Sequence, residues 1–163
     1  MVPLKENVPP DLGYSSAFSI AGGGDTLAAI GVDVVGTYRT DLAGGKLNLT
    51  LAYNYNKSKV LPGFNAAVIA QSQIYDIGHL APAHRVNLSA NWQVGNFTVN
   101  AAERYYSSWG DANDYPINGS GGAIGQTFGS KFISDLDVSY NFAEKVTLTV
   151  GANNLFNTYP DKI

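Results

Sequence analysis

The chain contains no cysteine among its 163 residues. This absence excludes disulfide frameworks, zinc ribbons, iron–sulfur clusters and thiol catalysis. Charge is also scarce, because Asp, Glu, Lys and Arg make up 14% of the residues, whereas an average soluble domain carries about 25%. The net charge is −3 and no basic run occurs, so the sequence has no electrostatic footprint for nucleic-acid binding.

Long hydrophobic runs are absent as well. No apolar stretch approaches the roughly 18 residues that indicate a transmembrane helix. Hydrophobic residues nevertheless make up 45% of the chain and aromatic residues 12%, which is unlike the composition of a disordered protein. A membrane β-barrel remains compatible with this composition, because its strands distribute their hydrophobic residues by alternation.

Alternation with a period of two residues runs through most of the sequence and is typical of strands with one apolar and one polar face. In residues 46–56 the odd positions are Leu or Tyr, and the intervening positions are polar or Ala. The pattern predicts six strands, at about residues 28–41, 46–60, 84–93, 97–109, 130–142 and 145–156. Glu103 falls on the apolar face of the fourth strand, which a bulge or a position beyond the apolar band would explain.

The predicted connections alternate between tight turns and long loops. Tight turns fall at residues 43–45, 94–96 and 143–144, and long loops at 61–83 and 110–129. A tilted strand of about eleven residues would cross roughly 27 Å, close to the apolar band of an outer-membrane barrel. Aromatic residues near both strand ends are typical of interfacial girdles. They are Trp92, Phe97, Tyr140 and Phe142 near the tight turns, and Tyr53, Tyr55, Tyr105, Tyr106, Trp109 and Phe132 toward the long loops.

Residues 131–160 resemble the penultimate hairpin of TonB-dependent outer-membrane receptors. The most specific motif is the run Asn154, Leu155, Phe156, Asn157, followed by Pro160. The other matching positions are Asp135, Val138, Tyr140, Phe142, Leu148, Thr149, Val150 and Gly151. Residues 31–35 and 82–88 resemble earlier strand starts in such barrels, so the resemblance extends over roughly residues 28–160.

The resemblance implies an all-β fold, an antiparallel meander of about six long strands that forms part of a 22-stranded transmembrane β-barrel. Residues 28–160 would form this partial barrel, with a loop or partial strand at 1–27 and a truncated end at 161–163. Family members also have an N-terminal plug and a last strand with a terminal aromatic residue. Neither is matched here, so we expect a fragment.

By this resemblance the parent protein would import a scarce ligand, of the siderophore, carbohydrate or cobalamin class, across a Gram-negative outer membrane. The implied partners are outer-membrane lipid, the barrel-assembly machinery, the small-molecule ligand and the TonB–ExbB–ExbD motor, which would act through the missing plug. We expect no cofactor, no catalysis and no nucleic-acid partner. Two alternatives are a small stand-alone outer-membrane barrel of eight strands and a soluble lipocalin-like binding protein.

Candidate site residues form two groups. Ligand binding is predicted for aromatic and amide side chains in and beside the second long loop, namely Tyr106, Trp109, Asn113, Tyr115 and Asn118. A polar lining of the lumen is predicted for Asp33, Arg39, Arg104, Asp135 and Asp137. Asp135 and Asp137 share a face, which would also suit acid–base chemistry. His79 and His84 are interpreted as exposed polar residues, since no third ligand completes a metal site.

Overall fold

The computed structural model describes residues 27–61, 71–112, 125–142 and 145–162. These residues form eight strands and one helix. In chain order they are β1 (Leu27–Leu42), β2 (Gly45–Val60), α1 (Gln71–His79), β3 (His84–Val94), β4 (Phe97–Tyr106), β5 (Trp109–Asp111), β6 (Gln126–Phe128), β7 (Lys131–Phe142) and β8 (Val146–Ala152). Within the described ranges no helix is long and apolar enough to cross a membrane.

Six of the strands form one antiparallel sheet in the order β1-β2-β3-β4-β7-β8. The predicted all-β, six-stranded antiparallel meander is therefore confirmed. β1 and β2 contain 16 residues each, far more than the 5–6 residues of an ordinary strand. β5 and β6 pair with each other in a separate two-stranded sheet.

The strand register aligns the alternating apolar and polar residues of each strand with those of its neighbours across the whole sheet. Leu49 lies opposite Tyr38 on β1 and Ala90 on β3, whereas its neighbour Thr50 lies opposite Thr37 and Ser89. Because successive residues point to opposite faces, the sheet acquires one face that contains Leu49 and one that contains Thr50. We call these the apolar face and the polar face.

Three local details differ from the sequence prediction. The fourth strand ends at Tyr106 rather than 109, where Ser107 caps the end of β4 through hydrogen bonds with the backbone of His84. The last strand ends at Ala152 rather than 156, since the chain turns at Asn154, where φ is +51°. Residues 61–83 were predicted as a long loop, but they contain α1, whose nine residues are too few for a clear helical period.

The apolar face is largely uncovered by protein. Among the described residues, the buried hydrophobic side chains are Ala112 and Phe128, and both lie outside the six-stranded sheet. On the apolar face, by contrast, Leu88 is 44% exposed and Val150 is 71% exposed. The six-stranded sheet thus has an apolar surface that no second layer covers among the residues that the structure describes.

The backbone around Glu103 is regular. Leu88, Glu103 and Ser134 lie directly opposite one another, and the pairing of β4 runs without interruption from Phe97 to Tyr106 on both sides. Of the two explanations offered for Glu103, the bulge is therefore wrong, whereas a position beyond the apolar band stays a prediction. The side chain of Glu103 lies on the apolar face because of its place in an unbroken register.

The hairpin turn between β1 and β2 generates a prediction. Its two central residues, Ala43 and Gly44, have φ values of +50° and +77°, which is the backbone of an Asn-Gly type turn. Alanine is strained there because its Cβ crowds the backbone. We expect Ala43→Asn to raise the free energy of unfolding by about 0.5–1 kcal/mol, measured by urea titration in detergent micelles. Gly44→Ala should lower it, and an equal effect of both changes would contradict this reading.

Candidate functional site

A row of polar side chains crosses the polar face from one edge strand toward the other. Register places Arg39, Asn48, Asn91, Asn100 and Asp137 directly opposite one another on β1, β2, β3, β4 and β7. Asn91 Nδ2 donates to Asn100 Oδ1 at 2.6 Å, and Asn100 Nδ2 donates to Asp137 Oδ1 at 3.0 Å. This polar ladder gives the amide and carboxylate groups partners within the sheet.

Asp135 connects three parts of the polar face. Its Oδ2 accepts a hydrogen bond from Arg104 Nη2 at 2.6 Å, which is also an ion pair. Its Oδ1 accepts the backbone N–H of Asn154 at 2.7 Å. The Arg104 Nε atom is buried without a hydrogen-bond partner. Asp135 therefore holds β4, β7 and the segment after β8 together.

The Asn-Leu-Phe-Asn motif forms a turn that is anchored on β7. The N–H of Asn157 donates to the carbonyl of Asn154, and both asparagines have positive φ, at +53° and +51°. Asparagine tolerates this left-handed conformation better than most residues. The side chain of Asn154 also bonds both the N–H and the carbonyl of Thr158. The motif therefore has a structural explanation.

A shallow groove of about 250 Å³ lies along the ladder. It is lined by side chains that include Asn48, Asn91, Asn100, Asp135 and Asp137. The groove offers hydrogen-bond acceptors and donors to water or to a polar surface. Asp135 and Asp137 are separately engaged, with Arg104 and Asn100, so the structure gives no sign of two carboxylates sharing a proton.

The five residues predicted to line the lumen share the polar face, as the register shows. Their partners differ. Asp33 accepts from Asn54 at 2.7 Å, Arg104 pairs with Asp135, and Asp137 accepts from Asn100. Arg39 lies opposite Asn48, four strands away from Asp137. Of the two arginines predicted to line the lumen, Arg104 forms an ion pair with Asp135.

Residues from the two long connections pack together beyond the long-loop end of the sheet. Asp76 of α1 accepts the backbone N–H of Ala112 at 2.8 Å. Gly110 of β5 lies so close to Tyr75 that an added Cβ would be 2.6 Å from its hydroxyl. Trp109 stacks on Phe128, with ring centroids 3.9 Å apart. We call α1, β5, Ala112 and β6 together the loop cap.

The predicted ligand-binding residues separate in the structure. Tyr106 ends β4 on the polar face, opposite Arg85 and Lys131. Trp109 belongs to the loop cap, so these two aromatics are not part of a girdle on the apolar face. Asn113, Tyr115 and Asn118 lie outside the described residues. Their role in ligand binding remains a prediction.

The two histidines have local partners. His79 Nδ1 donates to the carbonyl of Tyr75, and the two rings stack at 4.1 Å. His84 Nδ1 shares a hydrogen bond of 2.8 Å with the Tyr53 hydroxyl. In the part of the chain that the structure describes, no three His, Cys, Asp or Glu residues form a group that could hold a metal ion.

The segment after β8 is also fixed at its far end. Asp161 Oδ1 pairs with Lys131 Nζ at 2.6 Å, and its Oδ2 accepts the N–H of Gly129 at 2.7 Å. The hydrogen bond from Lys131, followed by that from Gly129, lowers the pKa of Asp161 below its ordinary value of 3.8, although desolvation opposes the shift. A lowered carboxyl pKa stabilises the folded state above about pH 3.8 and loses that contribution in more acid solution.

The chain matches a known protein family over most of its length. The model described as "TonB dependent receptor-like, beta-barrel" matches residues 9–155. Comparison with curated proteins gives no match, and comparison with solved structures gives none.

The contacts of Asp135 generate a prediction. Asp135→Ala removes the acceptor of both Arg104 and the Asn154 N–H, so we expect the free energy of unfolding in micelles to fall by about 1–3 kcal/mol. Asp135→Asn keeps an acceptor for Asn154 and should cost less than about 1 kcal/mol, since the ion pair is partly solvated. Asp137→Asn, which keeps the acceptor for Asn100, is the matched control. Equal stability of Asp135→Ala and the control would contradict the role of Asp135.

Proposed function

The chain belongs to the family of TonB-dependent receptor-like β-barrels, and from this premise we propose that it forms part of the wall of an outer-membrane receptor that imports a small ligand. The family is one of receptors and transporters rather than of enzymes. In this proposal the sheet supplies barrel wall and the loop cap supplies part of the outer surface. The chain contributes no chemical step.

The uncovered apolar face is the observation that carries the proposal. A soluble sandwich or lipocalin-like barrel covers its apolar residues with protein, yet Val138 and Leu136 are each 38% exposed and Leu148 is 58% exposed. Lipid is the medium that would cover such a face. Aromatic contacts near the tight turns, Phe97 with Tyr140 and Tyr140 with Phe142, fit an interfacial girdle.

The two open edges of the sheet support the proposal that it is part of a larger barrel. Among the described strands, β1 and β8 each have a bonded neighbour on one side only. Open sheet edges do not occur within the hydrocarbon region, because their backbone groups would lack hydrogen-bond partners. We therefore propose that further strands pair with β1 and β8 and close the 22-stranded barrel typical of the family. A stand-alone barrel of eight strands is the second candidate.

The class of ligand is proposed from the family and from the loop cap. A siderophore, a carbohydrate or a cobalamin would each use aromatic faces and hydrogen-bonding groups such as those of Tyr106 and Trp109. Import would depend on the TonB–ExbB–ExbD motor acting through a plug, with the barrel-assembly machinery inserting the protein. These partners follow from the family and belong to the proposal.

Transport can be tested in cells that express the complete gene product. We expect the protein in the outer-membrane fraction and expect one of three labelled ligands, a ferric siderophore, an oligosaccharide or a cobalamin, to accumulate only when TonB is present. Equal accumulation with and without TonB, or recovery of the protein as an aqueous monomer, would contradict the proposal.

Two neighbouring substitutions test the orientation of the faces. Leu49→Arg puts a charge in the middle of the proposed lipid-facing surface and should lower the free energy of unfolding by about 2–4 kcal/mol. Thr50→Arg puts the same group on the polar face and should cost less than about 1 kcal/mol. Refolding titrations in lipid vesicles measure both. The reverse order would mean that the polar face, not the apolar one, meets lipid.

A further inference from the structure

Two lysines lie on the apolar face at the long-loop end of the sheet. Register places Lys57 opposite Ile30 and Lys59 opposite Ala28, on the face that contains Leu49. Within the six described strands of the sheet, every other Lys or Arg side chain falls on the polar face. The cations of the proposed lipid-facing surface are therefore confined to one end of it.

An aromatic cluster next to the lysines marks the level of the membrane interface. The rings of Tyr53 and Tyr55 lie 6.1 and 4.9 Å from that of His84, and the Tyr53 hydroxyl shares a hydrogen bond of 2.8 Å with His84 Nδ1. Rings at the end of an apolar surface are typical of the level of the lipid head groups. Lys57 and Lys59 follow Tyr55 by about 6.6 and 13 Å along the strand, so they lie on the outer side of that level.

The two lysines belong to a part of the β1–β2 hairpin that extends past β3. The pairing of β2 with β3 ends at Tyr55, whereas its pairing with β1 continues to Val60. Helix α1 lies beside this extension, because a Cβ added to Gly78 would be 3.2 Å from the Ser58 carbonyl oxygen. Both lysines are nevertheless exposed, so the helix leaves their side of the hairpin open to a ligand.

The described part of the chain does not neutralise this pair of positive charges. Neither Lys57 nor Lys59 takes part in an ion pair or a hydrogen bond there. Glu103, the carboxylate on the same face, lies level with Leu51, about 20 Å along the sheet from Lys57. A lysine near the end of a membrane span directs its ammonium group into the interface while its stem covers apolar surface. The pair therefore presents two ammonium groups to the head-group region.

We propose that Lys57 and Lys59 bind the phosphate groups of lipopolysaccharide, the phosphorylated glycolipid of the leaflet that surrounds the long-loop end of such a barrel. Two ammonium groups on one strand face supply charge-assisted hydrogen bonds to phosphate oxygens, and the apolar face beside them accepts the acyl chains. The tight-turn end of this face carries aromatic residues such as Phe97 and Tyr140 and no lysine, so the charges match one leaflet only. This inference rests on the proposed membrane location.

Native mass spectrometry of the complete gene product, purified from the outer membrane and treated with EDTA to remove divalent cations, tests the site. Diphosphoryl lipid A, its fully dephosphorylated form and dioleoyl phosphatidylglycerol are added separately. We expect diphosphoryl lipid A to bind most tightly. The double variant Lys57→Gln with Lys59→Gln should weaken its binding about thirtyfold, since each lysine at an anionic lipid surface contributes about fivefold, and should leave the dephosphorylated form unchanged. Lys57→Arg with Lys59→Arg, which keeps both charges, should retain most of the affinity.

Lys46→Gln is the matched control, because it removes a lysine from the polar face of the same strand and should leave the binding of lipid A unchanged. Each variant is first checked for outer-membrane location and for heat-dependent migration on gels, so that misfolding is recognised. A correctly inserted wild-type protein that binds either other lipid as tightly as diphosphoryl lipid A, or a double Gln variant with unchanged affinity, would overturn the inference and leave the proposed function intact. A wild-type protein absent from the outer membrane would overturn the proposed function itself.

Discussion

The structure depends on how the apolar face of the six-stranded sheet is covered, because its long strands leave that face exposed among the described residues. Six long strands present leucine, valine and aromatic side chains on one side, and the described residues provide no second layer to cover them. In the proposed outer-membrane location, the energy of hydrophobic burial comes from the surrounding lipid. The same medium requires every backbone group at the sheet edges to find a partner, which is why an open six-stranded sheet fits a larger closed barrel.

The polar face follows from this constraint, because the groups excluded from the apolar side must be satisfied on the other. Asparagine side chains bond one another along the ladder, and Asp135 accepts from both Arg104 and the Asn154 backbone. These contacts give Asp135 a structural role, which is an alternative to the acid–base role considered from the sequence. The motif that carries the family resemblance is explained in the same way, since its asparagines adopt positive φ and form a turn against β7.

The loop cap is built on a different principle. It contains Ala112 and Phe128, the two buried hydrophobic residues of the described chain, and it joins residues that are far apart in sequence through the bond between Asp76 and Ala112. The cap therefore packs like a small soluble core beyond the end of the sheet. Trp109, predicted as a ligand-binding residue, is stacked on Phe128 within this core, whereas Tyr106 stays on the sheet.

The strands and their faces could be predicted from the sequence, because alternation is local and each residue's face depends only on its neighbours in the chain. The family was recognisable for a similar reason, since its motif is one continuous run of residues. Helix α1, the partners of Asp135 and the regular register at Glu103 could not be predicted. They depend on contacts between residues that are distant in sequence. Examples are the ion pair between Asp135 and Arg104 and the position of Glu103 opposite Leu88 on β3 and Ser134 on β7. The sequence by itself determined which side chains share a face, and only the tertiary structure decided which of them meet, because strand pairing sets the distances between them.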